Sequence, residues 1–284
     1  MNILIACIHY PVASGRYIQR AFQRLGHDVR TVGPSTGADI WGMRVRERWV
    51  WTPDFDSASA ARDWNPDLTI TADSGWCFPH SVARHVVWGV DNHVHNYWPE
   101  RKFNALFLAH SQGARMGEPN VHWLPCCYDP AAHTDTGGER DYDVGMVGVM
   151  YPERQALIDA LRAAGLRVLA GTGLLWEDYN AAMNRCKLAL VNPVANDLPL
   201  RFFENMAQGC CVLAPRLPDA ERLGFKAGVN FWPYATAAEL VKESQWLLKN
   251  GHWQTVATSG QVAVQGHTWD ARAQTLLNTL GMNR

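Results

Sequence analysis

The sequence predicts an α/β chain of two Rossmann-like domains facing each other across a cleft, and three features of the text predict it. Short apolar runs alternate with helical patterns. Several of those runs are apolar at successive positions, as strands buried on both faces of a parallel sheet are. The alternation also stops at a polar, glycine-containing stretch and then starts again, and 284 residues exceed the about 100–150 of a common single domain.

The first element is the apolar run at residues 2–7. It lacks a basic flank and a cleavage site, so it reads as a buried strand rather than a signal peptide, and a cytoplasmic location is expected. A helical pattern at 17–25 and a strand at 29–32 follow, punctuated by Gly15 and Gly26-His27-Asp28, which is βαβ punctuation. Further strands are expected at 68–72, 86–90, 105–109 and 121–124. Residues 129–141 have neither helical nor strand period and read as a linker.

The rhythm restarts with a strand at 144–149 and a helix opened by Pro152, a residue suited to a first helical turn. Strands at 166–170, 187–191 and 211–214 then alternate with helices at 176–185, 201–208 and 237–249. A glycine-punctuated stretch containing Ser259-Gly260 and Gly266 precedes a last helix at 269–280. The expected division is a first domain at 1–128, a linker at 129–142, a second domain at 143–266, and a terminal helix at 267–284 packing back on the first domain. Ligands are expected at the carboxyl ends of strands.

Composition narrows the function. Hydrophobic residues at 47% and charged residues at 19% suit a globular protein, and no run approaches the roughly 18 apolar residues of a membrane span. A formal net charge of -1 gives no overall field for a polyanion, although a local basic face can exist beneath a neutral sum. Seven cysteines without C-x-x-C spacing read as packed thiols. The loop after Cys7, His-Tyr-Pro-Val-Ala-Ser-Gly, is no Gly-x-Gly-x-x-Gly, which disfavours a dehydrogenase.

Several motifs, in order and spacing, resemble glycosyltransferases related to the spore-maturation protein CgeB, within the wider group-1 glycosyltransferases of GT-B fold. They are Gly15-Arg16-Tyr17-Ile18 with Leu25-Gly26-His27-Asp28-Val29, and Trp123-Leu124-Pro125 with Asp129-Pro130. In the second half they are Val147-Gly148 with Tyr151-Pro152-Glu153-Arg154, Arg201-Phe202-Phe203-Glu204 with Ala207-Gln208-Gly209, and His267-Thr268-Trp269 with Arg272. The resemblance implies a GT-B enzyme moving a sugar from a nucleoside-diphosphate sugar, with a UDP-sugar as the leading donor, to a hydroxyl. The donor sits mainly on the second domain and the acceptor mainly on the first.

It also implies that Glu204 accepts hydrogen bonds from the donor ribose. A carboxylate suits this because it is an acceptor-only group that can take two hydroxyls at once. Many group-1 enzymes carry an acidic residue eight positions earlier. Here Asn196 stands there with Asp197 beside it, so inverting and retaining outcomes both stay open. Arg201 either pairs with Glu204 or reaches donor phosphates.

Gly148, with Arg154 on the following helix, and the loop Gly171-Thr172-Gly173 are candidate phosphate cradles, with a solvated Arg154 as the plain alternative. In the first domain Asp91 and His93 end the strand at 86–90 and are candidates to deprotonate an acceptor, against the plainer reading of a capped loop. His9 and Arg16 flank the loop after the first strand as candidate acceptor or phosphate contacts, and Trp76 and Trp98 are candidate stacking platforms for a sugar.

No bound cofactor and no metal are expected, since His93 and His95 lack a third nearby ligand. The acceptor stays open between a small molecule, a glycan and a hydroxymethylated DNA base. DNA would call for a basic surface around Arg44, Arg46, Arg48 and Arg62, and the plainer reading of residues 44–48 is a half-buried strand with one basic face. A noncatalytic nucleotide-sugar-binding protein of the same fold is the remaining alternative.

Overall fold

The computed structural model describes residues 1–72, 84–92, 103–112 and 117–282. The chain divides into two compact units, Met1–Cys126 with Trp269–Arg284, and Cys127–Thr268.

The first unit opens with β1 (Asn2–Ala6), α1 (Ser14–Arg24) and β2 (Asp28–Val32). A short ribbon of β3 (Asp39–Ile40) and β4 (Met43–Arg44) follows, then α2 (Ala58–Asp63). The strands β5 (Leu68–Ala72), β6 (His85–Gly89), β7 (Ala105–Leu108) and β8 (Val121–Trp123) complete the sheet. Its order is β2-β1-β5-β6-β7-β8, and every pairing is parallel. All five residues of β5 and of β6 are buried, which is why, apart from His85 at the start of β6, their sequences read as apolar or small runs rather than alternating with charged residues. The order reverses at β1, which pairs with β2 on one side and β5 on the other, so the crevice beyond its carboxyl end is the switch point of this sheet.

The helix α1 buries Tyr17, Ile18, Ala21 and Phe22 on one stripe. Gly15 lets it approach β1, since a Cβ there would lie 2.6 Å from Cys7 Sγ.

The second unit runs through β9 (Tyr142–Val147), α3 (Pro152–Ala163), β10 (Val168–Gly171), α4 (Trp176–Asn184) and β11 (Cys186–Leu190). It continues with α5 (Leu200–Ala207), β12 (Cys211–Ala214), α6 (Pro218–Arg222), β13 (Trp232–Pro233), α7 (Ala237–Lys249) and α8 (His252–Val264). The five parallel strands are ordered β10-β9-β11-β12-β13, so β9 and β11 flank the switch point. The core between this sheet and its helices holds Val144, Ile158, Leu161, Leu188, Leu240 and Leu247, all fully buried.

The helix α8 departs from the sequence expectation, which took Ser259-Gly260 as punctuation. Gly260 is instead a packing glycine inside the helix: a Cβ there would meet the Asn230 carbonyl oxygen at 2.7 Å and Met206 Cγ at 3.4 Å. Removing the side chain lets α8 lie against α5 and the turn before β13, at a helix-propensity cost of about 1 kcal/mol.

The last helix, α9 (Trp269–Thr279), belongs to the first unit. Trp269 is 1% exposed, stacked on Tyr17 with centroids 5.7 Å apart and tilted on Trp88 at 5.5 Å. Burying an indole of about 200 Å² contributes at most about 5 kcal/mol. Arg24 pairs with both Asp270 carboxylate oxygens, and Arg272 donates to the Pro125 carbonyl at 2.8 Å.

Candidate donor site at the switch point of the second sheet

Gly148 follows β9 with φ of +156°, a conformation that favours glycine. Its N–H donates to the Gly171 carbonyl at 3.0 Å, and its own carbonyl accepts from Thr172 Oγ1 at 2.9 Å. These two bonds lock the loops after β9 and β10 together. A Cβ at Gly148 would lie 3.9 Å from Arg154 Nη1 and 4.0 Å from Arg201 Nε. The structure therefore brings Gly148, Gly171, Thr172, Arg154 and Arg201 to one place at the carboxyl ends of the strands.

Arg154 is more committed than the sequence suggests. Its Nε and Nη2 donate to the Asn192 carbonyl at 3.0 and 2.8 Å, and Nη1 donates to the Val149 carbonyl at 2.8 Å. The guanidinium thus clamps the loops after β9 and β11, and its burial lowers its pKa from the ordinary arginine value. A solvated side chain, the plain alternative from sequence, does not describe it. Tyr234 closes the same corner, its hydroxyl 3.2 Å from the Val191 carbonyl and 3.3 Å from Asn192 Oδ1.

The helix α5 buries Phe202, Phe203 and Met206 completely, and this fixes the turn that carries Arg201 and Glu204. Glu204 is 5% exposed. Arg201 Nη1 lies 3.3 Å from Glu204 Oε2, and His133 Nε2 lies 3.5 Å from Oε1. His133 Nδ1 accepts the Asp129 backbone N–H at 3.2 Å, so in the neutral ring the proton sits on Nε2 and faces the carboxylate.

Tyr179 underlies both partners. The Arg201 guanidinium sits 4.2 Å from its ring centroid, His133 packs edge-on at 5.8 Å, and the Tyr179 hydroxyl donates to Asn205 Oδ1 at 2.8 Å. Burial raises the Tyr179 pKa well above the ordinary phenol value, so it stays neutral. Each Glu204 oxygen has a second lone pair, so one partner apiece leaves capacity for a hydroxyl.

Asn196 adopts φ of +55°, and the buried Asp197 accepts the Ala195 N–H at 3.1 Å through Oδ1, which shapes the loop before α5. No side chain caps either α3 or α5. Their first-turn N–H groups and helix dipoles favour an anion.

Sequence reasoning missed His133, Tyr179, Asn192 and Tyr234. His133 lies in residues 129–141, whose polar text carries no period. The structure binds this segment to the second unit: Thr134 N donates to Asn180 Oδ1 at 3.0 Å, and Arg140 donates to the Cys186 and Gln208 carbonyls at 2.7 Å each.

In the first unit His9 and Arg16 both contact the segment 49–51. His9 is completely buried, tilted against Trp51 with centroids 4.1 Å apart, and burial lowers its pKa. Arg16 Nη1 donates to the Pro11 and Trp49 carbonyls at 3.0 and 2.8 Å, which ties the loop after β1 to residue 49. Asp91 is exposed at the carboxyl side of β6. The neighbouring Asn92 exchanges hydrogen bonds with the His110 backbone. Trp76, His93 and Trp98 lie outside the described residues. Among the described residues no group of three or more His, Cys, Asp or Glu could hold a metal, and no helix is long and apolar enough to cross a membrane.

Residues 139–278 match the family model described as glycosyl transferase-like. The match takes in most of the second unit and runs on into α9. Solved structures extend the likeness to the fold of the whole chain. An alpha-glucosyltransferase in complex with UDP and a 13-mer DNA containing a central A:G mismatch matches with a TM-score of 0.70 at 9% identity, over 99% of each chain. HepE from Anabaena, in complex with UDP and glucose, gives 0.64 at 15% identity over 100% of both chains. The DNA-modifying enzyme beta-glucosyltransferase, solved with and without uridine diphosphoglucose, gives 0.64 at 11% identity over 99% of this chain and 100% of that one. No curated protein sequence matches the chain. The fold is GT-B, and the matched residues include Gly148, Arg154, Arg201 and Glu204.

Proposed function

We propose that the chain transfers a sugar from a nucleoside-diphosphate sugar to a hydroxyl, and that the glycosyl transferase-like domain holds the donor. The observation that carries this reading is the convergence of Gly148, Thr172, Arg201 and Glu204 at the switch point of the second sheet, where two uncapped helices begin. Glu204 accepts the ribose hydroxyls. Arg201, still one-third exposed and supported by Tyr179, meets the diphosphate together with the first-turn amides of α3 and α5. Arg154 keeps the loops at their spacing. In transfer, the negative charge developing on the departing diphosphate is met by groups already in position.

The donor is a UDP-sugar in this reading, consistent with the UDP-containing neighbours, and the acceptor is a small molecule, a glycan or a modified base. Release of nucleoside diphosphate, assayed across common nucleotide sugars with and without acceptor, tests it. Turnover with at least one donor is expected. Absence of both binding and turnover with every donor overturns the reading.

A further inference from the structure

The first unit carries a ribbon whose chemistry the donor site does not use. The strands β3 and β4 pair Ile40 with Met43, leaving Trp41-Gly42 as a two-residue turn with φ of +50° and +73°. Both signs positive make a type I′ hairpin, whose twist suits a tight ribbon. Such turns prefer Asn-Gly or Asp-Gly, and a bulky side chain at positive φ is uncommon. Here the position is an indole left 52% exposed at the tip.

The residues behind the tip are mostly exposed and, beyond β4, turn through a short 3-10 helix at Glu47–Trp49 rather than continuing as a strand with one basic face. Arg44, Arg46 and Arg48 are exposed, while Val45 and Trp49 are buried. The Arg46 and Arg48 guanidiniums lie 5.0 and 5.3 Å from the Trp49 ring centroid, and Arg16 holds the Trp49 carbonyl. Two cations are therefore seated on a fixed indole, in the segment that follows the exposed Trp41.

We propose that this ribbon is a nucleic-acid contact: Arg44, Arg46 and Arg48 meet successive phosphates, and Trp41 stacks on or wedges beside a base. A polyanion with discrete charges and flat apolar faces matches three exposed arginines close in sequence behind one exposed aromatic side chain. An anionic lipid surface matches less well. It rewards a broad apolar face, and here one indole is exposed, with Asp39 and Glu47 exposed among the arginines. The contact stands on the ribbon alone and does not require the donor-site reading. Where both hold, the acceptor hydroxyl belongs to a nucleic acid.

The test is fluorescence anisotropy of a labelled 20-mer, single- and double-stranded, titrated with the full chain without any nucleotide sugar, so that its outcome is independent of sugar transfer. Binding is expected whose affinity falls with salt at a log–log slope of roughly −2 to −3 for two or three phosphates. Trp41→Ala should weaken binding about ten-fold and leave the slope unchanged, as loss of one base stack does. Arg44→Ala should reduce the slope by about 1. Thermal melting of each variant checks that the fold is kept. No binding at 50 mM salt overturns the proposal. So does binding indifferent to both substitutions, or binding to anionic phosphatidylserine vesicles with none to either oligonucleotide.

Discussion

Replacing His133 tests how the donor site is held. His133→Leu keeps most of the ring volume but removes both nitrogens. The Asp129 N–H then loses the His133 ring nitrogen as acceptor, which costs about 1–3 kcal/mol. The edge-on packing against Tyr179 is lost for about 0.5–1.5 kcal/mol. Glu204 keeps only Arg201, whose side chain is 35% exposed and so compensates a buried carboxylate weakly. Together these give a loss of about 2–4 kcal/mol in urea denaturation. His133→Asn restores an acceptor for the Asp129 N–H and should recover much of the stability. His133→Gln reaches further, presents an N–H to Glu204, and should recover nucleotide affinity instead. An unchanged urea midpoint and unchanged UDP affinity for His133→Leu would refute this account of how Glu204 is positioned.

Acid should weaken the first unit. His85 is buried against Phe103 and Thr71, and burial pushes its pKa from 6.5 down to about 4. Its stabilisation is complete above the unfolded value and is lost as pH falls from about 6.5 to 4, by up to about 3 kcal/mol, because only the unfolded chain binds the proton there. His85→Gln should flatten that part of the stability–pH curve; an unaltered curve contradicts the assignment. Gly260→Ala should lower the melting temperature although alanine favours helices, because the new Cβ meets the Asn230 carbonyl at 2.7 Å. A rise would show that the helix yields there. Arg154→Lys should cost about 2 kcal/mol, since an ammonium cannot span both carbonyls as the guanidinium does, and urea denaturation reads it directly.

The parallel sheets were legible because buried strands leave runs of apolar and small residues, as at 144–147 and, with two threonines, at 68–72. The helix over 237–249 was read to its ends, where a Thr236 cap accepts the Glu239 N–H. The helix α8 was not, because one glycine serves packing and turning equally well on paper and only the neighbouring Asn230 carbonyl distinguishes the two uses. At the proposed donor site, Glu204 and Arg201 stood out through the motif around them. His133 did not, since a buried histidine in a polar segment acquires its meaning from residues 71 positions away. Arg154 shows a third case: the residue was visible, but its geometry, three bonds to two backbone carbonyls, could not be read from its place in a first helical turn.

The central claim is that Glu204 holds the ribose of the donor. Calorimetry of UDP against its 2′,3′-dideoxy analogue, on the native chain and on Glu204→Gln, tests it directly. The native chain should prefer UDP by about ten-fold or more, the loss expected when hydroxyls bound to a charged acceptor are removed. Glu204→Gln, with melting unchanged, should lose most of that preference. Equal preference in both proteins would contradict the assignment.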